Sequence, residues 1–279
     1  MNKLLIYQSD FGLVDGAVSA MEGVALKVDL DLTIRHLTHE ITPYNIFEAS
    51  YRLYQTVVYW PSETVFVSVV DPGVGTKRRS VVAKTKDDKY IVTPNNGTLT
   101  HLAANIGIVE IREIDKNLYR KETNFSHTFH GRDVYSYTGA LLASGKIQYE
   151  EVGKKLDLDE ILCLPLSEVE VSENLVRGNI DILDVRFGSL WTNITREDFL
   201  KLNVKYGEKL EVTIYNGDTL VYQNQIVYGK SFAEVMVGSP IVYINSVFKV
   251  GIAINQGSFA KAYNIGVGSA WVVELRKAK

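Results

Sequence analysis

A chain of 279 residues with one cysteine, Cys163, cannot close an internal disulfide, and no Cys/His spacing of the zinc-binding kind accompanies it. Neither sign of charge prevails: 30 Lys and Arg face 33 Asp and Glu, a net charge of −3. Proteins that grip nucleic acid or an anionic membrane carry an excess of positive charge, so neither partner is expected. Long apolar runs are missing as well, since Leu4 to Tyr7 is too short for a secretion signal or a membrane span. The expected compartment is a reducing cytoplasm, where the sequons at Asn96, Asn124 and Asn193 carry no meaning. Internal repeats and low-complexity segments are also lacking.

What is present is a hydrophobic fraction of 46% and a charged fraction of 23%, which suit one large or two ordinary globular domains. The chain is organised around Val65 to Ser80, VFVSVVDPGVGTKRRS. Val65 to Val70 is an almost unbroken apolar run, as expected of a central parallel strand buried on both faces. Asp71-Pro72-Gly73-Val74-Gly75 must then turn tightly, because proline fixes φ and glycine accepts backbone angles that other residues resist. A carboxylate thus sits at the carboxyl end of a buried strand, with Arg78 and Arg79 just beyond. Ligands of open α/β sheets bind at that edge, although an Asp that caps its own turn fits the segment equally well.

Lys3 to Gln8 reads as a strand broken by Ser9-Asp10-Phe11-Gly12, and Val18, Met21, Ala25 and Val28 then follow helical spacing after a possible Asp15 cap. Ile34 to Leu37 reads as a second strand. Asn45 and Glu48 resemble a capping box for a helix that buries Ile46, Ala49, Leu53 and Val57. The order β-α-β-α-β implies a three-layer α/β domain with a mostly parallel sheet. Val81 to Thr85 and Tyr90 to Thr93 flank Asp87-Asp88 as a hairpin. A helix runs to about Asn105, and Ile108 to Ile114 alternates like a strand. Asn124 to Asp133 reads as a loop leading to a helix from Val134 to about Ser144, closed by Gly145.

The texture changes between Ile161 and Ser172, and we divide the chain at 1–165 and 166–279. Leu175 to Asp184, Lys209 to Tyr215, Leu220 to Val227, Ile241 to Asn245, Val250 to Asn255 and Trp271 to Leu275 read as short strands. Asn216-Gly217 marks a hairpin turn, and Thr195 with Asp198 caps a short helix. A smaller, mostly antiparallel β domain follows, sandwich or barrel.

Several segments invite chemistry, each with an ordinary alternative. GVGTKRR is glycine-rich and basic but lacks the spacing of a nucleotide phosphate loop. His127 and His130 lie near Asp133, a set more often used for hydrogen bonding than for a metal, and no metal is expected. Asp10, Asp71, Arg78 and His130 make an acid–base cluster if the strand ends converge.

The motifs SDFGLVDG, HEITPYN, VVDPGVGTKRR, TPNNGTL, TFHGRD, DVRFGSLWTNI, YINS and AINQGS, in that order, resemble those of the S-adenosyl-L-methionine (SAM) hydroxide adenosyltransferases. These adenosine-forming SAM hydrolases are related to the SAM-dependent fluorinase and chlorinase. The resemblance spans nearly the whole chain. It implies a β-barrel-like second domain and a homotrimer with sites at subunit interfaces. It implies further that Asp10 grips the ribose hydroxyls, that Tyr44 and Phe129 line the ribose and sulfonium, and that Asp71, Arg78 and His130 handle the water. In the second domain, Asp184 and Ser246 would hold the methionine end, and Phe187 and Asn255 the adenine.

The implied reaction is attack of water on C5′ of SAM, giving adenosine and L-methionine without a cofactor. A halogenase and a non-catalytic SAM sensor are the alternatives. Asp71 stands where halogenases carry tyrosine, and the full Asp71, Arg78 and His130 set exceeds what binding alone requires. The chain departs from the family pattern at Ser189, usually Asn, and at Phe248 and Gly251, usually Gly and Glu. Ala17 and Val247 replace polar residues that the halogenases use.

Overall fold

A computed structural model describes residues 2–121 and 127–278. The chain divides into two compact units, Met1–Leu164 and Pro165–Lys279.

The first unit is built on a seven-stranded sheet: β1 (Leu4–Ser9), β2 (Thr33–Thr38), β3 (Val65–Val69), β4 (Ser80–Thr85), β5 (Tyr90–Pro94), β6 (Ile108–Glu113) and β7 (Lys155–Leu156). Their spatial order is β2-β1-β3-β5-β4-β6-β7. The first four are mutually parallel, and β4, β6 and β7 add antiparallel pairings. Helices α1 (Ala17–Val28), α2 (Ile46–Val57), α3 (Thr100–Asn105) and α4 (Tyr137–Ala143) cover it.

Successive residues of a strand face opposite ways, so β1 serves two cores. Leu5 and Tyr7 pack with Met21 and Ala25 of α1 and with Ala140 of α4. Ile6 packs with Leu53 and Val57 of α2 and Leu102 of α3 on the other face. That is the three-layer arrangement. It requires β1 and β3 to be largely apolar, and every residue of β3 is buried, Ser68 included.

The caps follow the sequence with one change. Asp15 accepts the Ala17 N–H at 2.9 Å, and Asn45 accepts the Glu48 N–H at 3.0 Å. The Glu48 carboxylate does not complete the box. It turns away and accepts the Thr42 N–H at 3.0 Å. A second correction concerns the loop expected over Asn124 to Asp133, whose residues 124–126 lie outside the described residues. Helical structure begins earlier than Val134, as a π-helical turn over Gly131–Ser136 that runs into α4. A π turn does not keep the 3.6-residue period, so its apolar pattern is not read as helix. Gly145, at φ +73°, ends α4.

The second unit contains β8 (Glu170–Ser172), β9 (Leu175–Leu183), β10 (Leu190–Thr195), β11 (Lys209–Asn216), β12 (Thr219–Tyr228), β13 (Pro240–Ile244), β14 (Lys249–Ile254) and β15 (Gly268–Lys277), with short helices α5 (Arg196–Leu200) and α6 (Phe259–Tyr263). Their order is β10-β14-β13-β12-β11-β15-β9-β8, and β9 also pairs with β10, closing a seven-stranded barrel with β8 outside it. All pairings are antiparallel except β12 with β13. Phe199, Tyr222, Phe259 and the inward aliphatic residues fill it. The hairpin loop is Gly217-Asp218, one residue later than Asn216-Gly217, with Gly217 at φ +55°. Thr195 does cap α5, accepting the Asp198 N–H at 3.1 Å. Among the described residues no helix is long and apolar enough to cross a membrane.

Candidate active site

From β1 the chain leads out to β2 on one side, and from β3 it leads to β4 and β5 on the other. Neighbouring strands that send their connections apart leave a crevice at their carboxyl ends. Asp10 follows β1 and Asp71 lies just past β3, so the two carboxylates stand on either side of that crevice. It has a volume of about 380 Å³ and is lined by Asp10, Tyr44, Asp71, Phe129 and His130, together with Phe11, Pro43 and Val74. The first-unit residues expected from the sequence are therefore gathered in one place, with Arg78 directly behind Asp71.

Arg78 meets Asp71 with two parallel hydrogen bonds: Nε donates to Oδ1 at 2.7 Å and Nη2 to Oδ2. The loop between them folds on itself, Val74 N–H reaching Asp71 O at 3.2 Å and Thr76 N–H reaching Gly73 O at 3.1 Å. Gly75 adopts φ +79°, which only glycine takes without strain. GVGTKRR is thus not left open to cradle a phosphate, since Arg78 is committed to Asp71, and Arg79 pairs with Glu113 and Glu160.

The same guanidinium touches His130, Nη2 lying 3.1 Å from Nδ1. Arginine can only donate, so Nδ1 accepts and a neutral His130 carries its proton on Nε2, a tautomer inferred from this contact. Burial first, and the Arg78 charge second, hold the His130 pKa below its ordinary 6.5. Two residues that the sequence did not flag complete the setting. Arg78 Nη1 donates to Ser80 Oγ at 3.0 Å, and Ser80 Oγ is 3.0 Å from the buried Tyr135 hydroxyl, whose ring lies 5.5 Å beneath the guanidinium. Ser80 has a faint signal, being two residues from Arg78 at a strand start. Tyr135 has none, because the π turn that aims it leaves no period in the sequence.

On the opposite wall Asp10 Oδ2 accepts the Tyr44 N–H at 2.8 Å. Tyr44 has φ +68° and a ring that is 73% exposed. Phe129 packs edge-on against Phe11 at 5.9 Å, and a Cβ on Gly131 would lie 3.1 Å from the Phe11 ring. A side chain beside His130 would therefore press on the Phe11 and Phe129 rings.

In the second unit, Asp184 and Phe187 lie in the loop between β9 and β10, closed by Asp184 N–H to Ser189 O at 2.9 Å. Phe187 is 70% exposed. Asn255 follows β14 at the same end, because Ile252 of β14 pairs with Leu190 beside that loop. Its Nδ2 donates to Val235 O at 2.8 Å. Ser246 is not gathered with these three, since it lies in the turn from β13 to β14 at the opposite end of β14.

Two departures are marked in the structure, one by backbone strain and one by a close contact. Phe248, where the family usually has Gly, sits at φ +59°, a conformation suited to glycine. At Gly251 a Cβ would come within 2.6 Å of the Tyr243 ring, which is itself tied to Trp191 Nε1 at 3.0 Å. The volume of the usual Glu side chain's base is thus taken by Tyr243.

A carboxylate-lined crevice at a topological switch point, backed by an Arg–Asp–His cluster, defines an α/β enzyme of small-molecule chemistry. The SAM hydroxide adenosyltransferase N-terminal domain matches residues 5–153, and the C-terminal domain of that family matches residues 178–272. The chain belongs to the SAM hydroxide adenosyltransferase family. It is 32% identical to an (R)-S-adenosyl-L-methionine hydrolase of Methanocaldococcus jannaschii, over 83% of this chain and 81% of the relative. It is 29% identical to a fluorinase of Nocardia brasiliensis, over 98% and 97%. The crystal structure of an uncharacterized conserved protein from Thermotoga maritima superposes with a TM-score of 0.89 at 34% identity, covering 98% of this chain and all of that one.

Proposed function

We propose that this enzyme hydrolyses SAM to adenosine and L-methionine. The observation that carries this reading is the carboxylate of Asp71 on the crevice wall, paired with Arg78, where a halogenase would need room for an anion. Asp71 lines the crevice and Arg78 does not, so a halide there would meet the carboxylate oxygens first, with the Arg78 charge behind them offsetting only part of the repulsion. The same carboxylate suits a water molecule, which needs an acceptor for its proton.

In the proposed reaction Asp10 accepts hydrogen bonds from the ribose hydroxyls and fixes C5′ in the crevice. His130, with Nδ1 engaged by Arg78, directs its Nε2–H toward the water oxygen, so it orients the water rather than deprotonating it. Asp71 takes the proton as the C5′–O bond forms and the C5′–S bond breaks. The sulfur keeps the bonding pair and leaves as the neutral thioether of methionine. The leaving group needs no assistance, so neither metal nor cofactor enters. Asp184 and Ser246 are assigned to the methionine end and Phe187 and Asn255 to adenine. All four assignments rest on the resemblance, and Ser246 lies at the other end of β14 from the remaining three.

We further propose a cytoplasmic homotrimer in which neighbouring chains supply the second-unit residues to each first-unit crevice. Incubation with SAM, with and without chloride, followed by chromatography of the nucleosides, tests the reaction. Adenosine in both samples is expected, and 5′-chloro-5′-deoxyadenosine or unchanged SAM would overturn it. Mixing inactive Asp71→Asn and Asp184→Ala chains tests the assembly, with partial recovery of activity expected. No recovery despite demonstrated subunit exchange would reject it.

A further inference from the structure

Behind the crevice, a row of four side chains runs from Asp10's neighbour to the surface, and the reaction uses none of them. Ser9 Oγ lies 2.7 Å from His39 Nδ1, His39 Nε2 lies 2.8 Å from His36 Nδ1, and His36 Nε2 lies 3.2 Å from Glu22 Oε1. Ser9 and His39 are buried, whereas His36 and Glu22 reach solvent. Burial, with His36 beside it, lowers the His39 pKa to about 4, so the ring is neutral near pH 7 and has one N–H to give.

The proton directions follow from the contacts. The Glu22 carboxylate can only accept, so His36 Nε2 donates to it. A singly protonated His36 then accepts at Nδ1 from His39 Nε2, and His39 Nδ1 is left to accept the Ser9 proton, while Ser9 Oγ receives the Phe11 N–H at 3.3 Å. Every donor in the row points the same way, and no member is left without a partner.

The same segment grips the Asp10 turn at two more places. Gly12 N–H donates to His39 O at 2.8 Å, and Tyr44 N–H donates to Asp10 Oδ2 at 2.8 Å. The turn from Ser9 to Gly12 is therefore fastened by one side chain, His39, and by two main-chain groups. The main-chain contacts would survive replacement of the imidazole. The His39 bond ties the Ser9 side chain to a distant segment, whereas its other bond, from the Phe11 N–H, stays within the turn.

We propose that His39 is a positioning residue for the ribose subsite, fixing the Asp10 carboxylate through its hydrogen bond to Ser9. This rests on the reading that Asp10 binds the ribose hydroxyls. The test is calorimetric binding of adenosine and of 2′-deoxyadenosine to wild type and to His39→Leu, His39→Asn and Ser9→Ala, with thermal melting alongside. Wild type is expected to prefer adenosine. His39→Leu and Ser9→Ala should each reduce that preference by about tenfold. His39→Asn should keep most of it, because the Asn carbonyl stands near the Nδ1 position and accepts the Ser9 proton. A His39→Leu or Ser9→Ala protein that melts lower yet keeps the full preference would show that the row is only structural, and would overturn the proposal. If His39→Leu does not fold, Ser9→Ala against His39→Asn decides the matter alone. A wild type indifferent to the 2′-hydroxyl would instead remove the ribose role of Asp10, and this proposal with it.

Discussion

Arg78 approaches Asp71 side-on, its Nε 2.7 Å from Oδ1 and its Nη2 on Oδ2, with the two side chains only 10% and 5% exposed. A carboxylate removed from water at this depth is stable as an anion only with such a partner. The pair therefore does two jobs. It holds the Asp71 carboxylate on the crevice wall, and it leaves the outer hydrogen of Nη2 for His130.

Asp71→Asn should bind SAM and hydrolyse it slower by roughly 10²–10⁴, the usual range for lost acid–base assistance. The amide fills the same space but cannot take the proton, and it presents an NH₂ group to a guanidinium that only donates. Single-turnover rates within a factor of a few of wild type would remove Asp71 from the chemistry.

Asp10→Ala should act on affinity. Two substrate hydroxyls would lose their acceptor in a confined crevice, at a cost of about 1–3 kcal/mol. Calorimetry should show adenosine and SAM weakened together, and a variant that loses only SAM binding would place Asp10 elsewhere on the substrate.

His39 makes stability depend on pH in a defined window. Its pKa is about 4 in the fold and 6.5 as a free side chain, so between those values the unfolded chain binds a proton that the folded chain refuses. Stability from this group is complete above about pH 6.5 and is lost as pH falls toward about 4. Urea midpoints of wild type and His39→Asn, compared at pH 7 and pH 4.5, should show the smaller acid loss in the variant. Parallel losses would mean that His39 is not buried in its neutral form.

Phe248→Gly should raise stability. A side-chain-bearing residue in the left-handed region costs about 1–2 kcal/mol, against which glycine loses about 0.5–1 kcal/mol in chain entropy. The turn keeps its main-chain bonds, with Phe248 N–H on Asn245 O at 3.0 Å and Arg196 N–H on Phe248 O at 2.9 Å. A higher urea midpoint is expected, and a lower one would show that the exposed Phe248 ring contributes packing that outweighs its backbone strain.

The layered domain was legible because its signals are local. A strand buried on both faces must be almost wholly apolar, and Val65 to Val70 is, with Ser68 the one exception; helices that cover it must repeat at 3.6, and Met21, Ala25 and Val28 do. The strand β10 was less legible. Thr192 and Asn193 interrupt its apolar run, and they are accommodated by bonds visible only in three dimensions, Thr192 Oγ1 to Val250 O at 3.0 Å and Asn193 Oδ1 from Asn179 N at 2.7 Å. In the crevice, Asp10 and Asp71 could be singled out as carboxylates at strand ends, and His130 as a titratable group in a polar, aromatic segment. Ser9, His39, Ser80 and Tyr135 could not, because each matters through a partner distant in sequence.

The loop from Asp71 to Arg78 has one more consequence. Surface loops usually tolerate gained or lost residues. This one is closed at both ends by its own ion pair across seven positions, and its interior turns depend on Gly75 at φ +79°. Adding or deleting a single residue would rotate the guanidinium off the carboxylate and off His130 together. Its length is therefore held as tightly as its composition, and among descendants of this chain the segment should accumulate substitutions at the exposed Lys77 long before it accepts an insertion.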